Sequence, residues 1–371
     1  MENRPVSQLK NKKILYILSG NEPSGFVRAR IFKDELKQRG ARVDYLQLKS
    51  DILIEAMFKS KPLLLLKLLF ELLLQVNYNL QKYRLLKFVH KYDVVVAVKY
   101  VKSQLLSEIK SKSKALLIYD FDDSVWLRDF DGEEEFQRKI KTADCITSGN
   151  DYLARKAAQY NQNSFVVRAP SQIESFVEYY KETKIGAKSE KEIIIGWIGS
   201  ASTLFSLYKV YDALEFIGSK YPNVVLKLLG TGKDRKAVPR FEKIKVITVP
   251  EYDQNEMIHH VSTFDIGVYP LFLSELSMGR GPLKATIYQA GKVPLICSGY
   301  IENNRFLEEK ITGFFADETA EWIDKISFLV ENPDARKQIG INGFNYALRN
   351  FSIENSVNQI EHALENCRIP A

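Results

Sequence analysis

The chain has 371 residues, 45% of them hydrophobic and 27% charged, which is enough for two domains with sizeable cores. Its three cysteines, Cys145, Cys297 and Cys367, form no CxxC pair and no metal-ligand spacing, so a disulfide framework is excluded and a reducing cytosol is expected. The start MENRPVSQLKNKK has charge but no apolar signal core, so secretion is not expected. Most of the net charge of +7 falls within 58–91, where seven Lys/Arg stand against one acid, Glu71.

Taken in chain order, ILYIL (14–18) reads as a short buried strand followed by the loop SGNEPSG (19–25). The spacing then predicts a helix from Phe26 to Arg39, ended by Gly40, and a strand at VDYLQL (43–48). Residues 52–91 are leucine-rich and helical in composition. DVVVAV (93–98) is a strand, VKSQLLSEIK (101–110) a helix, and ALLIYDFDD (115–123) a strand running into aspartates. ADCITSG (143–149) and SFVVRAP (164–170) complete the first half. The polar stretch 171–191 has no apolar period and reads as a linker. Beyond it come EIIIGWIGS (192–200), a helix with Leu207, Val210, Leu214 and Ile217 on one face, and VVLKLLGTG (224–232). KVITVP, DIGVYPL and VPLICS are further short strands separated by helical segments. Strands alternating with helices in both halves predict two doubly wound parallel sheets, whose ligands bind outside the carboxyl ends of the strands.

Five stretches carry candidate chemistry. GWIGSAST (196–203) ends a strand and opens a helix; its glycines admit a ligand close to backbone, or it is an ordinary turn with a serine cap. LLGTGKD (228–234) is a second glycine loop, either a tight turn or part of a base site, and it matches neither a dinucleotide fingerprint nor a P-loop. MGRGPLKATIYQAGKVPLICS (278–298) puts Arg280 and Lys284 four residues apart where glycine and proline announce a helix. On one helix these two cations would share a face and oppose the macrodipole, which a bound diphosphate would relieve. DFDDSVW (120–126) ends a strand in three carboxylates, suited to acid/base work, metal binding, capping or ion pairing. PSGFVRAR (23–30) places Ser24 and Gly25 before Arg28 and Arg30, whose spacing turns them to different helix faces.

These pieces, in this order, resemble the retaining nucleotide-sugar glycosyltransferases of the GT-B fold, in the branch with DDxxW, GWIGS and GKxPxK…YxAxGxPVV segments. Here they stand as DDSVW (122–126), GWIGS (196–200) and GRGPLKATIYQAGKVPLICS (279–298). The resemblance covers nearly the whole chain, including NPDARKQIGINGFNYALRNFS (332–352), although the pair of glutamates eight residues apart found in many relatives is missing. It implies an α/β fold of two facing Rossmann-like doubly wound domains with an interdomain cleft. The N-terminal acceptor domain would span residues 1–180, with a helix near 351–371 packing back on it, and the donor domain residues 190–350.

The implied activity is transfer of a sugar from a nucleoside diphosphate sugar to a hydroxyl of a glycan or polyprenyl-linked acceptor, with retention, in cell-surface polysaccharide synthesis. Donor contacts are expected from Gly199, Ser200, Gly230, Gly232, Arg280, Gly281 and Lys284. Acceptor-side contacts are expected from Ser24, Gly25, Arg28 and Arg30, and catalysis from among Asp120, Asp122 and Asp123. Neither a metal nor another cofactor is expected, since the cations sit on the protein, and no nucleic-acid partner is expected. A nucleotide-sugar 2-epimerase or a non-catalytic nucleotide-sugar-binding subunit are the competing readings. The run KSKPLLLLKLLFELLLQV (59–76) is too interrupted to span a bilayer; it is either a core helix or, with the basic excess of 58–91, an interfacial helix on an anionic membrane. The second reading places a cytoplasmic enzyme on the inner membrane face.

Overall fold

Consecutive apolar runs such as VVVAV, buried at every position, are what a parallel sheet covered on both faces requires. The computed structural model describes residues 7–20, 23–51, 54, 64–127, 132–183, 192–234, 238–299 and 306–367. The chain divides into two units, Met1–Ala169 with Ser356–Ala371, and Pro170–Asn355.

The first unit contains, in order, β1 (Lys13–Leu18), α1 (Pro23–Val27), α2 (Lys33–Gln38), β2 (Arg42–Gln47), α3 (Leu64–Phe88), β3 (Val94–Val98) and α4 (Ser103–Lys112). Then follow β4 (Leu116–Phe121), α5 (Gly132–Thr142), β5 (Cys145–Ser148), α6 (Asp151–Ala158) and β6 (Ser164–Val166). Its strands are parallel in the order β2-β1-β3-β4-β5-β6, so the winding direction reverses between β1 and β3. The helix expected over residues 26–39 is broken. Ala29 leaves helical geometry at φ −140°, a short 3-10 turn Arg30–Phe32 follows, and Arg28 and Phe32 on either side of the break are both buried.

The second unit begins with α7 (Ile173–Glu182) and β7 (Ile193–Ile198), then a 3-10 segment Ala201–Lys209, α8 (Tyr211–Lys220), β8 (Val224–Leu229), β9 (Lys245–Val249), α9 (Gln254–Ser262) and β10 (Ile266–Tyr269). It continues through α10 (Glu275–Gly279), α11 (Leu283–Ala290), β11 (Leu295–Cys297), β12 (Gly313–Phe315), α12 (Thr319–Glu331) and α13 (Pro333–Asn350). Its parallel order, β12-β11-β10-β7-β8-β9, is that of a dinucleotide-type Rossmann sheet, reversing between β7 and β10.

Two segments differ from the sequence reading. Residues 173–182 are helix α7 of the second unit, not linker. Only Ile173 and Phe176 on its face are fully buried, too few for a visible period, and they share a core with Met257, Val261 and Ala290. Residues 184–191 of the same stretch lie outside the described ones. The helix expected around Leu207–Ile217 changes type at Val210, though its four apolar positions are all buried. The last helix, α14 (Ile353–Asn366), passes into the first unit at Ser356. There Arg39 bonds Glu361 and, at 2.7 Å, Asn358, while the Gln359 amide oxygen accepts from Arg168 N at 2.7 Å.

The leucine helix α3 is not the core helix that one reading allowed. Leu85 is buried, with Tyr78 and Leu86 packed beside it, but Leu66, Leu68, Leu69, Leu72, Leu73, Val76 and Leu80 are 42–60% exposed. Residues 52, 53 and 55–63 of the leucine-rich stretch lie outside the described ones. Among the described residues no helix is long and apolar enough to cross a membrane.

Strands β7 and β10 pair only through Ile195–Ile266 and Gly196–Gly267. Just beyond, Tyr288 of α11 takes over. Its hydroxyl accepts from Ile198 N at 2.8 Å and donates to Val268 O at 3.2 Å. A Cβ at position 267 would lie 2.6 Å from the Tyr288 ring, so glycine there lets the ring lie on the sheet. Tyr288→Phe keeps the ring but strips two buried backbone groups of a partner. It should lower urea stability by about 1–3 kcal/mol and expose the Ile198 amide to hydrogen exchange. An Ile198 amide protected as in the parent would contradict this.

Candidate functional site

In the first unit the ends of β1, β3 and β4 bring five charged side chains together. Arg28, 2% exposed, directs Nε to Asp120 Oδ1 at 2.9 Å and a terminal nitrogen to Asp120 Oδ2 at 2.5 Å. Its other nitrogen donates to Val167 O, and Thr147 Oγ1 donates to Asp120 Oδ2 at 2.6 Å. Asp120 is thereby fully engaged as half of a buried ion pair. Asp122 and Asp123 meet a residue the sequence reading missed, Lys99. Its ammonium lies 2.6 Å from Asp122 Oδ1, 2.8 Å from Asp123 Oδ2 and 3.0 Å from Ser24 Oγ. Ser24 Oγ also donates to Asp122, at 3.0 Å to Oδ1. The signal available in the sequence was a lysine directly after the strand VVVAV, at the carboxyl end where ligands of such sheets bind.

Lys99 and Asp123 both adopt positive φ, 50° and 63°. Such conformations persist where surrounding bonds hold them. The Lys99 carbonyl accepts from Tyr119 Oη at 2.8 Å and from the buried Lys139 Nζ at 3.1 Å, while Lys99 N donates to Asp120 O at 2.7 Å. Of the acceptor-side candidates, Ser24 and Arg28 join this cluster. Gly25 packs near Leu18, and Arg30 turns away to bond Gln47 Oε1 at 3.1 Å. Arg28 is thus a buried support for Asp120.

Burial lowers the basicity of Lys99, but Asp122 and Asp123 outweigh it, and its pKa is raised. Arg28 is raised in the same way, burial being outweighed by Asp120. For Asp122, burial pushes upward and is outweighed by Lys99 and then Arg28, so its carboxyl stays below the ordinary 3.8. Asp122 therefore offers an ionised acceptor at neutral pH and no proton to donate.

In the second unit the glycine loops are built on close backbone contact. Gly230, with φ +82°, sits where a Cβ would be 2.3 Å from Gly199 O, and a Cβ on Gly199 would enter the Trp197 ring. The Gly199, Gly230 and Gly232 amides donate to Leu229 O, Val249 O and Pro250 O at 2.8–3.0 Å. Ser200 N donates to Thr203 Oγ1 at 2.9 Å. These four amides are already engaged, so the loops offer a ligand shape and hydroxyls. Arg280 and Lys284 do not share a helix. Arg280 ends α10 in extended geometry (φ −72°, ψ 129°), Gly281 follows, Pro282 caps α11, and Lys284 lies in its first turn. A proline disfavours helical geometry in the residue before it, which breaks the helix between the two cations. Both are half-buried.

The acidic cluster has a defined pH response. The stability contributed by Asp122 is complete above its ordinary value of 3.8 and is lost as pH falls through its lower folded pKa. That of Lys99 is complete below 10.5 and is lost as pH rises through its raised pKa. In Lys99→Met the Asp122 carboxyl should titrate at higher pH by carboxylate NMR. Arg28→Met should destabilise the first unit by about 3–5 kcal/mol, since it leaves Asp120 buried without its partner.

No protein-family model matches the chain, and no curated protein sequence matches it. Solved structures do. The Anabaena protein HepE in complex with UDP-glucose aligns at a TM-score of 0.63 and 12% identity, covering 96% of this chain and 100% of that one. Sucrose-phosphate synthase from Thermosynechococcus elongatus aligns at 0.62 and 13%, covering 96% and 100%. A glycosyltransferase from Rickettsia africae aligns at 0.63 and 14%, covering 96% and 99%. At this identity the likeness concerns architecture, and the chain has the fold of these proteins: two Rossmann-like units, as in GT-B glycosyltransferases.

Proposed function

We propose that this protein is a glycosyltransferase that moves a hexosyl group from a nucleoside diphosphate sugar to a hydroxyl of a glycan or lipid-linked acceptor. The observation that carries the reading is the first turn of α11. It follows the strand at which the second sheet reverses its order, and it has Lys284 within it and Arg280 just before it. The positive end of the helix and two cations make a diphosphate site. The structural neighbour HepE binds UDP and UDP-glucose, which supports a uridine diphosphate sugar as donor.

As the glycosidic bond breaks, negative charge grows on the leaving diphosphate. Arg280 and Lys284 stabilise that charge more in the transition state than in the ground state, in the role a metal would otherwise fill. The remaining donor contacts are the walls and hydroxyls of the Gly199–Ser200 and Gly230–Gly232 loops and the backbone at Gly281. Asp122 and Asp123, each about a quarter exposed, are the carboxylates available to orient or deprotonate an acceptor hydroxyl, with Lys99 and Ser24 fixing their position. Retention of configuration and a role in cell-surface polysaccharide synthesis follow from the resemblance of the 122–126, 196–200 and 279–298 segments.

UDP-glucose or another nucleotide sugar should raise the melting temperature by mass action. Lys284→Ala should lower transfer by about tenfold or more, and Lys284→Glu further, since it adds repulsion. Asp122→Asn and Asp123→Asn should retain donor affinity, with at least one losing turnover. Full activity in Lys284→Ala would remove the diphosphate site. Donor binding without turnover on any acceptor would favour a non-catalytic binding subunit.

The protein works at the inner face of a membrane in this reading. Helix α3 presents exposed leucines together with exposed Lys67, Arg84 and Lys87, which suits an anionic lipid surface, each basic residue contributing about 1 kcal/mol. Lys82 is partly occupied by Glu108 at 2.7 Å. Flotation with phosphatidylserine vesicles at low salt should be lost on charge reversal at Lys67, Arg84 and Lys87. A protein that ignores such vesicles has a soluble acceptor.

A further inference from the structure

Two loops leave the second sheet on either side of the point where its strand order reverses, one after β7 and one after β10. Each carries an exposed phenylalanine, Phe205 at 51% and Phe272 at 42%. Their rings stack, with centroids 6.2 Å apart and planes within 10° of parallel. Tyr208 and Leu273 extend the same loops at 62% and 65% exposure. The stacked pair is an apolar surface held in water at the ligand-binding end of the sheet.

The chemistry of the surroundings narrows what covers it. Neither SASTLFSLY (200–208) nor PLFLS (270–274) contains a charged residue, in a chain that is 27% charged. The first is rich in hydroxyls and the second carries one, Ser274. Ser200, Ser202 and Ser274 are exposed, Ser200 and Ser202 within 3.0 Å of each other and Ser274 within 2.9 Å of Ser277. Exposed aromatic rings on uncharged segments that also carry exposed hydroxyls are poorly matched to a phosphate or a lipid headgroup. They match a pyranose ring, which has an apolar C–H face and a polar rim.

We propose that Phe205 and Phe272 form a shelf on which a neutral sugar ring of the acceptor stacks. This rests on the glycosyl-transfer reading and names the acceptor as a carbohydrate. The acceptor is the better occupant because the donor's reacting bond must be kept from water, whereas these rings are half open to solvent. Aromatic faces hold such rings by dispersion.

The test is saturation-transfer NMR with maltotriose, cellotriose and chitotriose as probes, alongside UDP binding by calorimetry. At least one trisaccharide should receive saturation on its C–H protons. The Phe205→Ala/Phe272→Ala double variant should bind it about tenfold more weakly while holding UDP as the parent does. Phe205→Tyr, which keeps the ring face, should retain trisaccharide binding. Saturation on none of the three, or equal binding by the double variant, overturns the shelf. Loss of UDP affinity in the double variant would make it a nucleobase site, and loss of phosphatidylserine-vesicle binding a lipid contact; both outcomes overturn it. A parent protein that binds trisaccharide but no nucleotide sugar would refute the donor reading and leave the shelf standing.

Discussion

The second unit depends on how α11 is held where β7 and β10 part. Two parallel strands whose connections run opposite ways lose their backbone pairing toward the carboxyl end, and the amides and carbonyls released there are buried. Buried backbone groups need partners. The Tyr288 hydroxyl serves one from each strand, Ile198 N and Val268 O, and its ring occupies space that Gly267 leaves empty. Helix α11 is therefore registered to the sheet by a hydrogen-bond bridge as well as by packing. Its first turn, with Lys284, inherits that register.

The first unit holds its site by charge. Five charged side chains sit at the ends of β1, β3 and β4, and they divide into two sets. Arg28 and Asp120 satisfy one another behind the surface, with Thr147 and Val167 completing the set. Lys99 pairs with Asp122 and Asp123, which are more exposed than Asp120. An isolated buried charge is costly, so removing one member of a pair destabilises the site. The outcome is two partly exposed carboxylates whose positions are set by a lysine in left-handed geometry.

The two units thus present unlike chemistry at equivalent ends of their sheets. One shows ionised carboxylates steadied by a single ammonium. The other shows two cations, hydroxyl-rich loops and an uncharged aromatic pair, with the loop amides already engaged within the protein. Helix α3 adds a third surface, anchored at its carboxyl end by Leu85 and bare of packing over much of its length.

Fold class was legible because parallel strands buried on both faces must be continuously apolar, and helices between them must carry a turn-periodic stripe. The alternation from ILYIL to VPLICS shows this without any coordinates. Glycine loops, the DDSVW carboxylates and the basic residues around Pro282 were legible for the same reason: each is a local pattern. What the sequence could not decide was which charges meet. Lys99 lies more than twenty residues from Asp122, Arg28 more than ninety from Asp120, and Phe205 more than sixty from Phe272, so only folding brings them together. Local composition also misled where tertiary contacts outweighed it. Helix α7 folds on two buried side chains in a polar stretch, and α3 leaves its leucines exposed because the sheet beneath takes only its last turns. Sequence determines periodicity, and with it the elements; the pairing of distant charges and the face each element buries are set by the three-dimensional packing of the sheet, because those energies exist only once the strands are side by side.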